Sequence, residues 1–149
     1  PGISRGKLED KLGIRGSPTS SISYDSVRLT RKHLLYEEQR GFSVAMNTLN
    51  GGRIGVAAQA VGIARAALRD AMAFATERRA FGKSVAEHQS IQNYFAEMIS
   101  RIDAARYLTL GSARLKEAGK PYVRQSSMAK LFASEAAVYA ALKGVQIHG

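Results

Sequence analysis

"ERRAFGKSVAEHQSIQ", residues 77–92, decides how this chain is read. A helix-forming run reaches Arg78-Arg79, and a second begins within the same sixteen residues. Phe81-Gly82 separates them, glycine being a poor helix former. Ser84-Val-Ala-Glu87 spells a capping box, in which the Ser84 hydroxyl accepts from the backbone N–H of Glu87 while the Glu87 carboxylate reaches back. A corner between two helices needs only a glycine and a cap. This one also carries two arginines, the Phe81 ring, His88 and Gln89. Singly each has a plain role: Arg78 complements a helix C-terminus, and His88 suits a solvated first turn. Together they put a guanidinium, a ring and a new helix N-terminus in one place. That is a workable site for a planar, phosphate-bearing ligand.

Upstream, Phe42, Ala45, Met46, Leu49 and Ile54 sit at helical spacing, and alanine-rich turns follow. The spacing predicts one helix over 42–78, about 50 Å long at about 1.5 Å per residue. Downstream, a second helix is expected over 84–118. Its buried stripe reads Ile91, Tyr94/Phe95, Met98, Ile102, Ala105 and Leu108/Thr109. Gly119 ends it and Pro121 opens a third helix, where proline is tolerated. The third stripe reads Val123, Met128, Leu131/Phe132, Ala136, Val138/Tyr139, Leu142 and Val145. Three long helices with short connections pack antiparallel. Stripes this wide call for a fourth helix or a partner chain.

The first forty residues differ. In "KLGIRGSPTSSISYDSVRLT", residues 11–30, Ile22 and Tyr24 alternate with serines, and Val27 and Leu29 flank Arg28. A period of two predicts strand. The phase slips at Asp25-Ser26, so a bulge or tight turn should separate two short strands. So few strands bury no face by themselves, so this region reads as the tail of a β domain. We expect residues 1–33 to end that domain, 34–41 to link, and 42–149 to form an incomplete helical bundle. On this reading the chain is an internal piece of something longer.

The chain has 149 residues, 45% hydrophobic and 23% charged, a globular composition. No apolar run is long enough to span a membrane. The opening "PGISRGKLED" has no basic cap leading into an apolar core, and a soluble intracellular protein is the simple reading. There are no cysteines, and the three histidines are scattered, a poor case for a metal. The formal charge of +10 favours polyanionic partners: nucleic acid, phosphorylated cofactors or coenzyme A. The charge is spread along the helices, which weakens the nucleic-acid reading. No GxGxxG, P-loop or Ser-His-Asp signature is present.

"LNGGRIGVAAQAVG", residues 49–62, puts Gly51, Gly52, Gly55 and Gly62 inside a helix. Each costs about 0.8–1.0 kcal/mol relative to alanine. For Gly55 and Gly62, close helix–helix packing is as good an account as any ligand. At Gly51-Gly52 the adjacent Arg53 favours a ligand that approaches the backbone.

These stretches resemble the acyl-CoA dehydrogenase family over nearly the whole chain. "KLEDKLGIRGSPTSSISYDSVRL" resembles the end of its middle β domain. "EEQRGFSVAMNTLNGGRIGVAAQAVGIA" resembles the first helix of its C-terminal domain, "ERRAFGKSVAEHQSIQ" its flavin-contacting corner and "SMAKLFASEAA" its next helix. The resemblance implies a mainly α fold: three long antiparallel helices of a four-helix bundle, preceded by the last strands of a β barrel. It implies FAD, an acyl-CoA substrate, an electron-transferring flavoprotein as partner and a homo-oligomer, usually a tetramer. Arg78 would meet the FAD pyrophosphate of a neighbouring subunit, Phe81 and His88 would line the cofactor, and Gln89 would hydrogen-bond it. Asn50, Gly51, Gly52 and Arg53 would contact acyl-CoA, with Phe42, Met46 and Leu49 facing the same cavity.

The implied chemistry is α,β-dehydrogenation of a short- or branched-chain acyl-CoA, without a membrane or nucleic-acid partner. Some members carry the base immediately before the helix arginine. Here that residue is Gly52, so no catalytic residue is expected in this chain and the base glutamate is expected beyond Gly149. The compartment would be cytoplasm in a bacterium or mitochondrial matrix in a eukaryote. Two relatives of the fold offer alternatives: an acyl-CoA oxidase using oxygen, and a non-catalytic DNA-binding helical protein. Departures from the pattern are Asn50, where many members have Asp, and Tyr36 and Gln39, where glycines are common; the latter two bear on the linker backbone.

Overall fold

The computed structural model describes residues 2–149 and divides into two units, 1–41 and 42–149. In the first unit β1 (Ile3–Leu8) pairs antiparallel with β2 (Ser20–Tyr24). The register runs Ile3 to Tyr24, Ser4 to Ser23, Arg5 to Ile22 and Leu8 to Ser20, with an irregularity between Arg5 and Leu8. Neither strand has a buried residue, as expected of a lone pair. The expected second strand at 27–29 is absent. Ser26 takes φ 51 and turns the chain, after which Val27 and Leu29 have no ladder partner. β1 is a strand that the side-chain pattern of "ISRGKL" does not announce; backbone pairing with β2 makes it one.

Before the first long helix, a single 3-10 turn (Arg31–His33) is capped by the His33 ring, whose Nδ1 accepts from the Thr30 N–H at 3.0 Å. Tyr36 (φ 76) and Gln39 (φ 64) then adopt the left-handed backbone that glycine takes freely. The linker keeps glycine-like geometry at both departures, at a cost of about 1–2 kcal/mol each.

The second unit is a helical bundle. α1 (Gly41–Glu77) is followed by a small hairpin, α2 (Gln89–Glu117) and α3 (Val123–His148). Gly51 of α1 lies against Lys116 near the end of α2, the Tyr139 hydroxyl donates to Glu97, and Phe74 stacks on His148. α1 and α3 therefore run parallel, with α2 antiparallel to both. α2 ends in a Schellman motif: Lys120 N–H bonds the Leu115 carbonyl at 2.9 Å, Gly119 N–H bonds that of Lys116 at 3.1 Å, and Gly119 supplies φ 64. Pro121 does not open α3; the helix starts two residues later, with Tyr122 as its N-cap.

The core is built from small residues. α1 buries Ala57, Ala60, Ala64, Ala71 and Ala75; α3 buries Ala129, Ala133, Ala136, Ala140 and Gly144. Met98 and Ile102 of α2 fill the space between. The α2 stripe lies where the periodicity puts it. The α3 stripe does so only in part: Ala136 is fully buried and Phe132 and Tyr139 pack partly buried against the core, while Val123, Met128, Leu131, Val138, Leu142 and Val145 face outward. Likewise Phe42 and Leu49 of α1 are exposed. Small side chains let helix axes approach closely, so the alanine face, not the bulky one, takes the interior.

The helix glycines behave differently from one another. A Cβ on Gly144 would stand 3.7 Å from the Ala67 carbonyl oxygen, and one on Gly51 would stand 2.9 Å from Lys116 Nζ. Nothing lies within 4 Å of the corresponding point at Gly52, Gly55 or Gly62. Close packing within this chain therefore does not explain Gly55 and Gly62. On the flank of the α2–α3 seam, Arg101 lies 4.3 Å over the Tyr139 ring and Lys143 lies 4.2 Å over that of Tyr94. These cation–π contacts join the two helices outside the core.

Candidate functional site

The corner is more built than a glycine and a cap. Arg79–Ala80 (β3) pairs with Lys83–Ser84 (β4), leaving Phe81-Gly82 as a two-residue loop with φ 53 and φ 82. Two positive φ values in a two-residue hairpin loop make a type I′ turn. Glycine suits its second position; an aromatic residue at the first is strained. The Phe81 ring is 97% exposed and meets the edge of the His88 ring at 6.1 Å between centroids.

Ser84 holds this hairpin on the end of α1. Its hydroxyl donates to the Ala75 carbonyl at 2.8 Å, one of the carbonyls a helix end leaves unpaired. Ser84 N–H donates to Glu87 Oε1 at 2.8 Å, and Val85 N–H to the Arg78 carbonyl at 2.8 Å. The capping box forms, but it caps a single 3-10 turn (Val85–Glu87) instead of the long helix. α2 starts only at Gln89, with His88 as its N-cap, φ −81 and ψ 126. His88 Nε2 lies 3.2 Å from the Ala80 carbonyl oxygen. A carbonyl can only accept, so Nε2 carries the proton there and ties the first residue before α2 to the hairpin.

Arg78, Phe81, His88 and Gln89 thus come together on one hairpin and one helix start. Arg78 and Gln89 are exposed. Among the described residues no carboxylate lies within ion-pairing distance of Arg78. His148 joins this end of the bundle: its ring stacks on Phe74, one turn before Arg78, at 4.4 Å and 27°. Its Nδ1 donates to the Gly144 carbonyl at 2.7 Å. Sequence reasoning missed it, since nothing in the spacing of residues 74 and 148 relates them.

Asn50, Gly51, Gly52 and Arg53 form a second group, on α1. Asn50 is 7% exposed, and half-buried Arg53 donates to its amide oxygen. Gly52 stands open, and Lys116 stands beside Gly51. From Asn50 to Arg78 the helix rises about 40 Å, at about 1.5 Å per residue. The structure does not bring the two groups together; most of the length of α1 separates them. Among the described residues no three of His, Cys, Asp and Glu cluster as metal ligands, and no helix is long and apolar enough to cross a membrane.

Comparison with known proteins adds the relatives. The short-chain specific acyl-CoA dehydrogenase of Rattus norvegicus mitochondria is 46% identical over 149 residues, covering 100% of this chain and 36% of that protein. Butyryl-CoA dehydrogenase from Megasphaera elsdenii superposes with a TM-score of 0.97 at 45% identity, covering 100% of this chain and 39% of that one. A chain from the structure of the electron transferring flavoprotein of Acidaminococcus fermentans, described for flavin-based electron bifurcation, superposes with a TM-score of 0.97 at 46% identity, with the same 100% and 39% coverage. The chain spans little more than a third of the length of these relatives. The model of the acyl-CoA dehydrogenase C-terminal domain matches residues 39–149, nearly three quarters of the chain, and the chain belongs to that family.

Proposed function

We propose that this chain is part of an FAD-dependent acyl-CoA dehydrogenase that converts a short- or branched-chain acyl-CoA to its enoyl-CoA. In that protein residues 1–33 end a middle β barrel, 34–41 link, and 42–149 supply three helices of the C-terminal bundle. The observation that carries the reading is Phe81: an aromatic residue held at φ 53 with its ring 97% exposed. A strained backbone that presents an apolar ring to solvent is understood when a ligand covers the ring. Arg78, exposed at the foot of the same hairpin and without a carboxylate partner among the described residues, supports a ligand that is anionic as well as planar, and FAD meets both requirements.

When bound, FAD supplies the acceptor for the hydride that leaves the β carbon. Arg78 holds its pyrophosphate, Phe81 and His88 flank it and Gln89 hydrogen-bonds it. The 40 Å between this corner and residues 50–53 supports a cofactor shared with a sister protomer, so the working protein is a homo-oligomer, a tetramer in our reading. Asn50, Gly51, Gly52 and Arg53 orient the acyl-CoA. The bare backbone at Gly52 admits the substrate closely, and Arg53, fixed by Asn50, presents a positive charge there. Gly52 has no group to take the α proton, so the base lies outside this turn. An electron-transferring flavoprotein reoxidises the enzyme, in the cytoplasm of a bacterium or the matrix of a mitochondrion.

The full-length protein should be yellow, and an acyl-CoA should bleach its flavin bands anaerobically. A colourless full-length protein, or flavin bands indifferent to every acyl-CoA from four to eight carbons, would sink the proposal.

A further inference from the structure

At the end of the bundle away from the corner, α1 and α2 gather more hydrogen-bond donors than acceptors. Asn50 on α1 is 7% exposed, and Arg53, about one turn on, donates to its Oδ1. A guanidinium has only N–H groups to offer, so this contact fixes the amide's orientation and leaves Nδ2 as the free end. Nδ2 meets no acceptor among the described residues. It is not sealed in either, because the buried side-chain polar atom left unpaired among those residues is the Ser112 hydroxyl. The third donor is Lys116, in the last turn of α2. A Cβ on Gly51 would stand 2.9 Å from its Nζ and 3.8 Å from its Cε. The ammonium therefore lies on bare α1 backbone, beside the turn that carries Asn50 and Arg53. A lysine in a last turn complements the helix dipole wherever it points. Glycine at 51 is what lets this one lie on α1.

Neither cation has a carboxylate within ion-pairing distance among the described residues. Like charges gathered at one turn repel, and an anion placed among them turns that repulsion into attraction. An ammonium, a guanidinium and an amide N–H₂ can only donate, so together they select a group that accepts and is negative. A neutral amide in that place would leave its own N–H unpaired. We propose that Asn50 Nδ2 and Lys116 join Arg53 in binding an anionic oxygen group of the substrate, and that Lys116 and the amide at 50 set this preference. The inference rests on the function proposed above, which places the acyl-CoA at residues 50–53. Two parts of an acyl-CoA supply such oxygens: the phosphates of the coenzyme, and a carboxylate at the far end of a dicarboxylic acyl chain.

Isothermal titration of the full-length protein tests the proposal with three probes. Butyryl-CoA has the phosphates, butyryl-pantetheine lacks them, and glutaryl-CoA is butyryl-CoA with a carboxylate on its last carbon. Lys116→Gln removes one donor; Asn50→Asp replaces another with a carboxylate that pairs with the two cations. If the phosphates are bound, each substitution should weaken both CoA thioesters about 10- to 100-fold, the worth of one charge-assisted hydrogen bond, and leave butyryl-pantetheine as it was. If the acyl carboxylate is bound, glutaryl-CoA alone should weaken. Lys116→Arg keeps the charge and should recover most of the loss. Equal weakening toward all three probes would mean that the two residues only shape the turn, and unchanged affinity for all three that they touch no ligand; either overturns the proposal. If Asn50→Asp fails to fold, Lys116→Gln and its rescue by Lys116→Arg decide. Titration needs no turnover, so a colourless protein that binds in this pattern sinks the flavin reading alone. A yellow protein indifferent to both substitutions sinks this one alone.

Discussion

Of the five non-glycine residues on left-handed backbone, three stand in the linker and the corner, and they do so for different reasons. Tyr36 and Gln39 keep φ 76 and φ 64 in the linker, and Phe81 keeps φ 53 in the hairpin. Replacing any of them with glycine should relieve about 1 kcal/mol of strain, partly offset by the greater freedom glycine gives the unfolded chain. The outcomes should part at the level of function. Tyr36→Gly and Gln39→Gly should leave flavin content unchanged, whereas Phe81→Gly should hold the fold and shed flavin, read by urea denaturation beside the absorbance spectrum. Arg78→Ala should weaken FAD retention about 10- to 100-fold, the worth of one charge-assisted hydrogen bond of roughly 1.5–3 kcal/mol. Equilibrium dialysis of the full-length protein reads it, and unchanged retention would remove Arg78 from the site.

Among the elements, the helix faces carry the sharpest consequences. α3 packs through Ala129, Ala133, Ala136 and Ala140, so a larger side chain there forces the helices apart. Ala133→Leu should destabilise by about 1–3 kcal/mol or more, whereas Leu142→Ala, on the outward face, should cost little unless another chain or segment covers it. Thermal unfolding compares them. Gly55 and Gly62 have open space where a Cβ would go. Alanine at either should add about 0.5–1 kcal/mol of helix stability. A loss of assembly or activity with that gain in stability would mean that a partner approaches the α1 backbone at that point. The hairpin shows the same logic on a smaller scale: Ser84→Ala removes the donor to Ala75 and should cost about 1 kcal/mol while loosening the corner.

Over the whole molecule, 22 basic against 12 acidic residues repel one another. Raising ionic strength from about 0.01 to 0.1 M shortens the Debye length from about 30 to 10 Å and should raise the melting temperature. Alkaline pH tests the α2–α3 flank. Partial burial, then the hydrogen bond to Glu97 and its charge, push the Tyr139 hydroxyl above its ordinary 10.0. A group whose pKa is raised on folding contributes stability that is complete below the unfolded pKa and lost as pH climbs through the folded one. Stability should therefore fall above about pH 10, and Tyr139→Phe should flatten that fall in a pH series of denaturation curves.

By itself the sequence determined where the helices lie to within a few residues, the α2 stripe and the grouping of Arg78, Phe81, His88 and Gln89. Those follow from local periodicity, caps and glycines, which act over a few residues. The tertiary structure decided what distance along the chain hides. It turned the α3 alanines inward and most of the bulky residues out, because the spacing of neighbouring helix axes, not hydrophobicity, chooses the buried face. It paired β1 with β2 through backbone bonds that no side-chain pattern encodes. It brought His148 to Phe74 across a whole helix, and it set Phe81 on strained backbone with its ring uncovered, the feature on which the flavin reading rests.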